Sequence, residues 1–404
     1  MLRFLTSGES HGQALVALLE GFPAGLAVDV DKINHELWRR QQGYGRGSRQ
    51  KIEKDTAQIL SGVRHGITTG APIAMMIKNR DWDNWQDVMS TEAVDLEDPD
   101  IAAKMAKKKI KHFRPGHADL AGTIKYGHDD IRNVLERASA RETASRVAAG
   151  ALCMQLLRHF GVKVGSHVVQ VGAIRAEEVD FSDLDELEEK VLNSEMFCAD
   201  ADATEKMKET VKTTWSDGDS LGGVIEILAD GLPVGLGSYT QWDRKLDGKL
   251  AQAVLSTQAM KAVEIGDGVG AAGRKGSEVH DAVYPSQSGT LPFTRKTNRA
   301  GGLEGGMTNG ERLVVRAYMK PIPTLMKGLP SVSYPEFDAH KADYERSDVC
   351  AIAAASVVLK CMISITLADA FLDKFSGDSI PELEASVAHY RTQLKRAAST
   401  RESN

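Results

Sequence analysis

Three clusters in this chain combine residue types and spacings that could do chemistry. Residues 39–51 read RRQQGYGRGSRQK, with Arg40, Arg46 and Arg49 among three glycines and Tyr44. Guanidinium forks match phosphate oxygens two at a time, so a glycine-rich basic loop suits an anionic ligand. A solvated basic loop or an RNA-contacting patch fits the same residues. The turn 112–122, HFRPGHADLAG, sets Arg114, His117 and Asp119 close together, and His titrates near neutrality and is the commonest general acid. The stretch LERASAR (135–141) places Arg137 and Arg141 at i, i+4, on one face if the segment is helical. A helix N-terminus there would favour an anion.

An internal repeat singles out a further candidate. Residues 8–26, GESHGQALVALLEGFPAGL, align without a gap on 218–236, GDSLGGVIEILADGLPVGL. GVRHGITTG (62–70) resembles GLEGGMTNG (302–310), and LERASA (135–140) resembles YERSDV (344–349). The pairs follow in order at offsets of 210, 240 and 209 residues, as an internal duplication would give. What both copies keep is needed by the fold, and what one copy has alone is a candidate for chemistry. His11 stands opposite Leu221, and Ser139 opposite Asp348. Ser139 and Asp348 could also simply cap their helices.

The elements that must position these residues read alike in each half. A strand (ALVALLE or GGVIEIL) runs into a Gly-x-Pro-x-Gly-Leu turn, with Pro fixing φ and Gly supplying positive φ. A helix follows, over DVDKINHELWRRQ in the first half and KLAQAVLSTQAMKAV in the second. Strands come next, then a long Ala-rich helix (136–159 or 348–373). Residues 176–210 read as a peripheral helical excursion and 374–404 as a polar tail. GDGVGAAG (266–273) holds a G-x-G-x-x-G match, but it follows a helical pattern, so the dinucleotide-binding context fails and a flexible loop is expected. Hairpin-like strands with segregated helices give an α+β fold, one domain of two pseudo-symmetric halves at about 1–205 and 206–404.

Composition narrows the class. A net charge of −6 over 404 residues argues against wholesale binding of nucleic acid or anionic lipid. The most apolar stretch, 350–372, carries Lys360 near its middle and reads as a buried helix, not a membrane span. The N-terminal dozen residues show no apolar secretory core. Four scattered cysteines without a CxxC fit reduced thiols in a cytoplasmic protein, and no metal site is expected.

Taken together, GESHG with EGFPAGL, RRQQGYGRGSRQ, GVRHGITTGAPI, RPGHADLAG, LERASARETASRVAAGA, PVGLGSYTQWDRKLDGKLAQA, GGLEGGMTNG, MKPIPT and RSDVC resemble the chorismate synthase family over nearly the whole chain. The resemblance implies an α/β sandwich with internal pseudo-symmetry, assembled as a homotetramer. It implies 1,4-anti elimination of phosphate from 5-enolpyruvylshikimate 3-phosphate, with reduced FMN as cofactor and an external flavin reductase as partner. It also implies roles. Arg40, Arg46, Arg49 and Arg141 would hold the substrate's anionic groups. His11 would protonate the departing phosphate and His117 the flavin, and Asp348 would assist removal of the C6 proton. Arg137, Ala138, Ser139 and Ala140, with Gln258, Ala259 and Arg346, would contact FMN. So would Gly305, Gly306 and Met307, and the run Lys320, Pro321, Ile322, Pro323 and Thr324. One departure stands out: members usually carry Glu where this chain has Lys360, and an effect on packing or assembly is expected. A flavin- or NAD(P)-linked oxidoreductase on the same scaffold and an RNA-binding module are the rival readings.

Overall fold

The computed structural model describes residues 2–47, 54–286, 291–342 and 348–399. Two antiparallel sheets dominate it. The first contains β1 (Arg3–Ser7), β2 (Ala14–Glu20), β3 (Gln58–Ile59) and β4 (Ile73–Lys78), in the order β1-β2-β4-β3. The second contains β5 (Lys163–Val171), β6 (Ile174–Arg175), β7 (Gly223–Asp230), β8 (Met260–Ile265) and β9 (Leu313–Met319), in the order β8-β9-β7-β5-β6. The helices used below are α1 (Val30–Gln41), α2 (Asp119–Tyr126), α3 (Arg132–Ala138), α4 (Thr143–His159), α5 (Leu184–Leu192), α6 (Ala201–Ser216), α7 (Leu246–Leu255), α8 (Ile352–Lys374) and α9 (Ile380–Ser399).

The sequence repeat is also a repeat of register. Leu19 faces Ile73 in the first sheet, and their counterparts Ala229 and Leu313 face each other in the second. The conserved threonines do the same job twice. Thr68 Oγ1 donates to Pro23 O at 2.6 Å and accepts from Leu26 N at 2.9 Å. Thr308 Oγ1 donates to Pro233 O at 2.6 Å and accepts from Leu236 N at 2.8 Å. A buried turn must satisfy its backbone groups, and the hydroxyl supplies one acceptor and one donor.

Between the sheets run α4 and α8. The alternating buried residues of β2 and β4, among them Leu15, Leu19, Ile73, Met75 and Ile77, share one core with Val147, Ala148 and Leu152 of α4. Small residues let the central helices approach closely: a Cβ at Gly150 would stand 2.3 Å from that of Cys361. The apolar composition of α8 would suit a membrane span by length, but most of it is buried between protein layers.

Several expected elements take another form. The helix expected over 249–263 ends at Leu255. Ala259 adopts a left-handed φ of 68°, and the chain continues as β8. GDGVGAAG therefore does follow a strand, but an antiparallel one, so the dinucleotide-binding unit is still not formed. The long helix expected from 136 is broken at Ser139, which is extended (φ −61°, ψ 142°) and caps the next turn through Arg141 N. Arg137 and Arg141 consequently do not share a helix face. Lys163–Val171, ahead of residue 205, pairs in the second sheet. The stretch read as a polar tail folds as α9, which docks through buried Leu383 and Val387 and a bond from Tyr390 Oη to Val234 O.

Candidate active site

The site lies where β2 and β7 begin and β4 and β9 end. The two copies of the repeat loop, 8–13 and 218–222, meet α3, which leads into α4, and the approach to α8 there. Ser10 N donates to Glu136 O at 3.0 Å, and Leu221 N donates to Val349 O at 2.9 Å. Asn79, just past β4, ties the first loop down. Its Nδ2 donates to Glu9 O at 3.0 Å and Gly12 O at 2.7 Å, while its Oδ1 accepts from Arg141 Nε at 2.9 Å.

His11 is held from three sides. Its Nδ1 lies 2.8 Å from Glu136 Oε1, its backbone N donates to Glu136 Oε2 at 2.7 Å, and its ring stacks on Trp85 at 3.9 Å. Arg132 Nη1 donates to the same carboxylate at 3.0 Å. Burial by itself would raise the Glu136 carboxyl; bonding to His11 and the charge of Arg132 outweigh it and hold the group below its usual value. Glu136 is thus an anion at neutral pH. It fixes Nδ1 as the donor to itself and leaves Nε2 as the nitrogen able to meet a ligand.

A buried arginine set adjoins this loop. Arg141 Nη1 reaches Asp55 at 2.7 and 2.6 Å, and Arg40 Nη2 reaches Asp55 at 3.8 Å and Arg141 O at 3.4 Å. Arg46 Nη1 pairs with Asp348 at 2.9 Å, and Gly47 N donates to Asp348 at 2.6 Å. Burial lowers the Arg40 guanidinium to about 10; Asp55 opposes this, and the charges of Arg141 and Arg46 add to it. Arg40 Nε and Arg46 Nε are buried without a partner among the described residues. Three crowded cations with two carboxylates between them form a place for an incoming anion. Asp348 points into this set and does not cap α8, so of its two readings the cap is not realised.

His117 belongs to a second cluster, with Nδ1 2.5 Å from Asp119 Oδ1. Arg114 clasps the same carboxylate at 2.8 and 2.9 Å. Burial would raise Asp119, but the bonds from His117 and Arg114 prevail and bring it down to about 2. This turn backs onto the 320–324 segment: Lys320 Nζ donates to Gly116 O, and a Cβ at Gly116 would touch Pro323. Lys320 N in turn donates to Ala259 O at 3.0 Å, and Gln258 Nε2 to Glu142 at 3.1 Å. Arg137 reaches Thr6 O and Gly8 O, each at 3.0 Å, and Ser10 Oγ bonds Ser139 Oγ at 3.1 Å. One wall thus gathers Arg137–Ala140, Gln258, Ala259, His117 and Lys320–Thr324.

One expected group falls elsewhere. Gly305–Met307 lie at the far end of α7, where Gly306 O accepts from Leu246 N at 2.9 Å. Ten residues of helix separate that point from the Gln258 end, about 15 Å at 1.5 Å per residue. The glycine loop 266–273 lies at the same far end, one six-residue strand beyond Ala259. Arg49 and Arg346 lie outside the described residues. Among the described residues, no group of three His, Cys, Asp or Glu side chains could hold a metal.

Sequence reasoning passed over Glu136, Asp55, Asn79 and Trp85. Glu136 carried a signal, since Glu-Arg is common to both helix openings, but that identity read as scaffold. Asp55, Asn79 and Trp85 had none, because nothing local pairs them with residues 62 to 86 positions away.

Comparison with known proteins gives the family. The family model for chorismate synthase matches residues 2–372. The chain belongs to the chorismate synthase family. It is 50% identical over 396 residues to the chorismate synthase of Brevibacillus brevis, covering 98% of this chain and all of that one. It is 52% identical over 395 residues to that of Geobacter sulfurreducens, covering 96% and 98%. A solved structure titled "Crystal Structure of Chorismate Synthase" superposes with a TM-score of 0.77 at 42% identity, over 98% of both chains. The α+β fold is therefore that of chorismate synthase.

Proposed function

We propose that this chain converts 5-enolpyruvylshikimate 3-phosphate to chorismate and phosphate by 1,4-anti elimination, as a carbon–oxygen lyase dependent on reduced FMN. The observation that carries this reading is the buried set of Arg40, Arg46 and Arg141 beside two acid–base groups, His11 and Asp348. The arginines, with Arg49, bind the phosphate and carboxylate of the substrate. His11, oriented by Glu136, gives its Nε2 proton to the departing phosphate. Asp348 assists removal of the C6 proton.

The residues present fit a flavin. Gln258 Oε1 is a buried acceptor with no partner among the described residues, which suits a ring N–H donor, and Arg137 and Lys320 offer cations. When bound, reduced FMN supplies an electron-rich ring that can lend charge while phosphate leaves. Arg137–Ala140, Gln258, Ala259, Lys320–Thr324 and Arg346 would hold it, and His117, fixed by Asp119, would keep a proton for it. Gly305–Met307 stand far from this wall within one chain, and we assign them to the flavin only on the family resemblance. We further read the enzyme as a cytoplasmic homotetramer of single-domain chains, a setting that suits its four buried free thiols. The reduced flavin then comes from an external reductase; NADPH consumption by the purified protein with oxidised FMN would refute that.

The test is phosphate release from 5-enolpyruvylshikimate 3-phosphate, without oxygen or NADPH, with photoreduced FMN. Chorismate and phosphate should appear in equal amounts with no net oxidation of the flavin. Folded protein that releases no phosphate would sink the assignment, and a requirement for stoichiometric hydride donor would favour an oxidoreductase.

A further inference from the structure

Away from the reacting groups, three ionisable side chains are buried together and pair with a fourth, Glu188, that is partly exposed. Lys360, midway along α8 and 0% exposed, donates from Nζ to Glu36 Oε1 at 2.8 Å and reaches Glu188 Oε1 at 3.4 Å. Arg39, also 0% exposed, donates to Glu36 Oε1 at 3.2 Å and pairs with Glu188. Two positive and two negative charges cancel across α1, α5 and α8. Burying ions is costly unless geometry and further bonds compensate. Here they do so incompletely: Glu36 Oε2, Arg39 Nε and Arg39 Nη2 lack partners among the described residues. A cluster so composed is poorly explained as a device for stability, and its placement points to another use.

Glu36 and Arg39 lie on the inward face of α1, whose last turn carries Arg40 and Gln41. Gln41 Oε1 accepts from Asp55 N at 3.2 Å, and Arg40 faces Asp55 and Arg141. On the other side, α8 begins just after Asp348, the partner of Arg46. The Lys360–Glu36 bond therefore ties the helix bearing Arg40 to the helix whose approach bears Asp348. Because side chains on a helix sit at fixed angular steps, a rotation of α1 that moves Glu36 also moves Arg40, which follows it by one turn.

We propose that Lys360 is a positioning residue for the anion clamp: through Glu36 it fixes the rotation of α1 and thereby the place of Arg40. This rests on the reading of the arginine set as the substrate's anion site.

The test compares two charge-balanced double variants of the full chain. Lys360→Met with Glu36→Gln cuts the link between α8 and α1. Arg39→Met with Glu188→Gln also removes one charge of each sign from the cluster and leaves that link intact. Binding of 5-enolpyruvylshikimate 3-phosphate in the presence of oxidised FMN, which supports no turnover, is followed by calorimetry, with thermal unfolding in parallel. The first double should weaken Kd about tenfold while staying folded, and the second should bind within about twofold of the wild type. Equal Kd in both doubles, an unchanged Kd in the first, or a first double that does not fold would overturn the proposal. If the wild type itself fails to bind, the functional reading falls instead.

Discussion

Arg46 and Asp348 are paired: Nη1 lies 2.9 Å from Oδ2, and the adjoining Gly47 N bonds Oδ1 at 2.6 Å. The basic loop of the first half thus holds the carboxylate that is peculiar to the second. An anion that engages Arg46 competes for this pairing and loosens Asp348, so under the proposed function substrate binding and readiness of the proposed base are linked. Asp348→Asn, which keeps the shape and removes the basicity, should cut turnover by roughly 10²-fold while substrate affinity holds or tightens, because Arg46 is released. Near-wild-type turnover would remove Asp348 from the mechanism.

His11 depends on Glu136 for its tautomer. His11→Ala should cost about 10²-fold in kcat, and His117→Ala a similar amount. Glu136→Gln should cost about tenfold in kcat with KM nearly unchanged, because the amide can hold the ring without its charge. A KM effect larger than the kcat effect would show that Glu136 shapes the binding site instead.

Asp119 gives a pH signature. Its folded carboxyl lies near 2, below an unfolded value of about 3.9. Its stabilising contribution is therefore complete above about pH 4 and is lost as pH falls towards 2. Asp119→Asn should lower the Tm at pH 7, and the gap from wild type should close between about pH 4 and pH 2. A gap that persists at pH 2 would mean that packing, not charge, sets the loss.

The matched threonines offer a test of the duplication in energy. Thr68→Val and Thr308→Val each strip a buried hydroxyl that satisfies two backbone groups. Each should destabilise by about 2 kcal/mol, seen as a similar drop in the urea midpoint. Costs differing by more than about 1 kcal/mol would show that the halves no longer carry equal load.

Much of the site was legible because the repeat provides an internal control. His11 against Leu221 and Ser139 against Asp348 are single-residue differences inside matched frames, and the structure puts His11, Ser139 and Asp348 at one end of the sheets. The errors share a cause. Helical periodicity through 249–263 and 136–159 gave no warning of a left-handed Ala259 or an extended Ser139. Those breaks are enforced by distant partners, Lys320 for Ala259 and the Ser10 loop for Ser139.

By itself the sequence determined the family, the duplicated frame and the residue types able to bind anions and move protons, since these follow from local motifs and their spacing. Only the tertiary structure decided which side chains face one another. It gave His11 its carboxylate and set Asp55 and Asn79 among the arginines. It also gave Lys360 its carboxylate partners and left Gly305–Met307 a helix-length from Gln258 and Ala259. Pairings across a hundred or more residues depend on how two sheets and two central helices pack, and no local pattern encodes that packing.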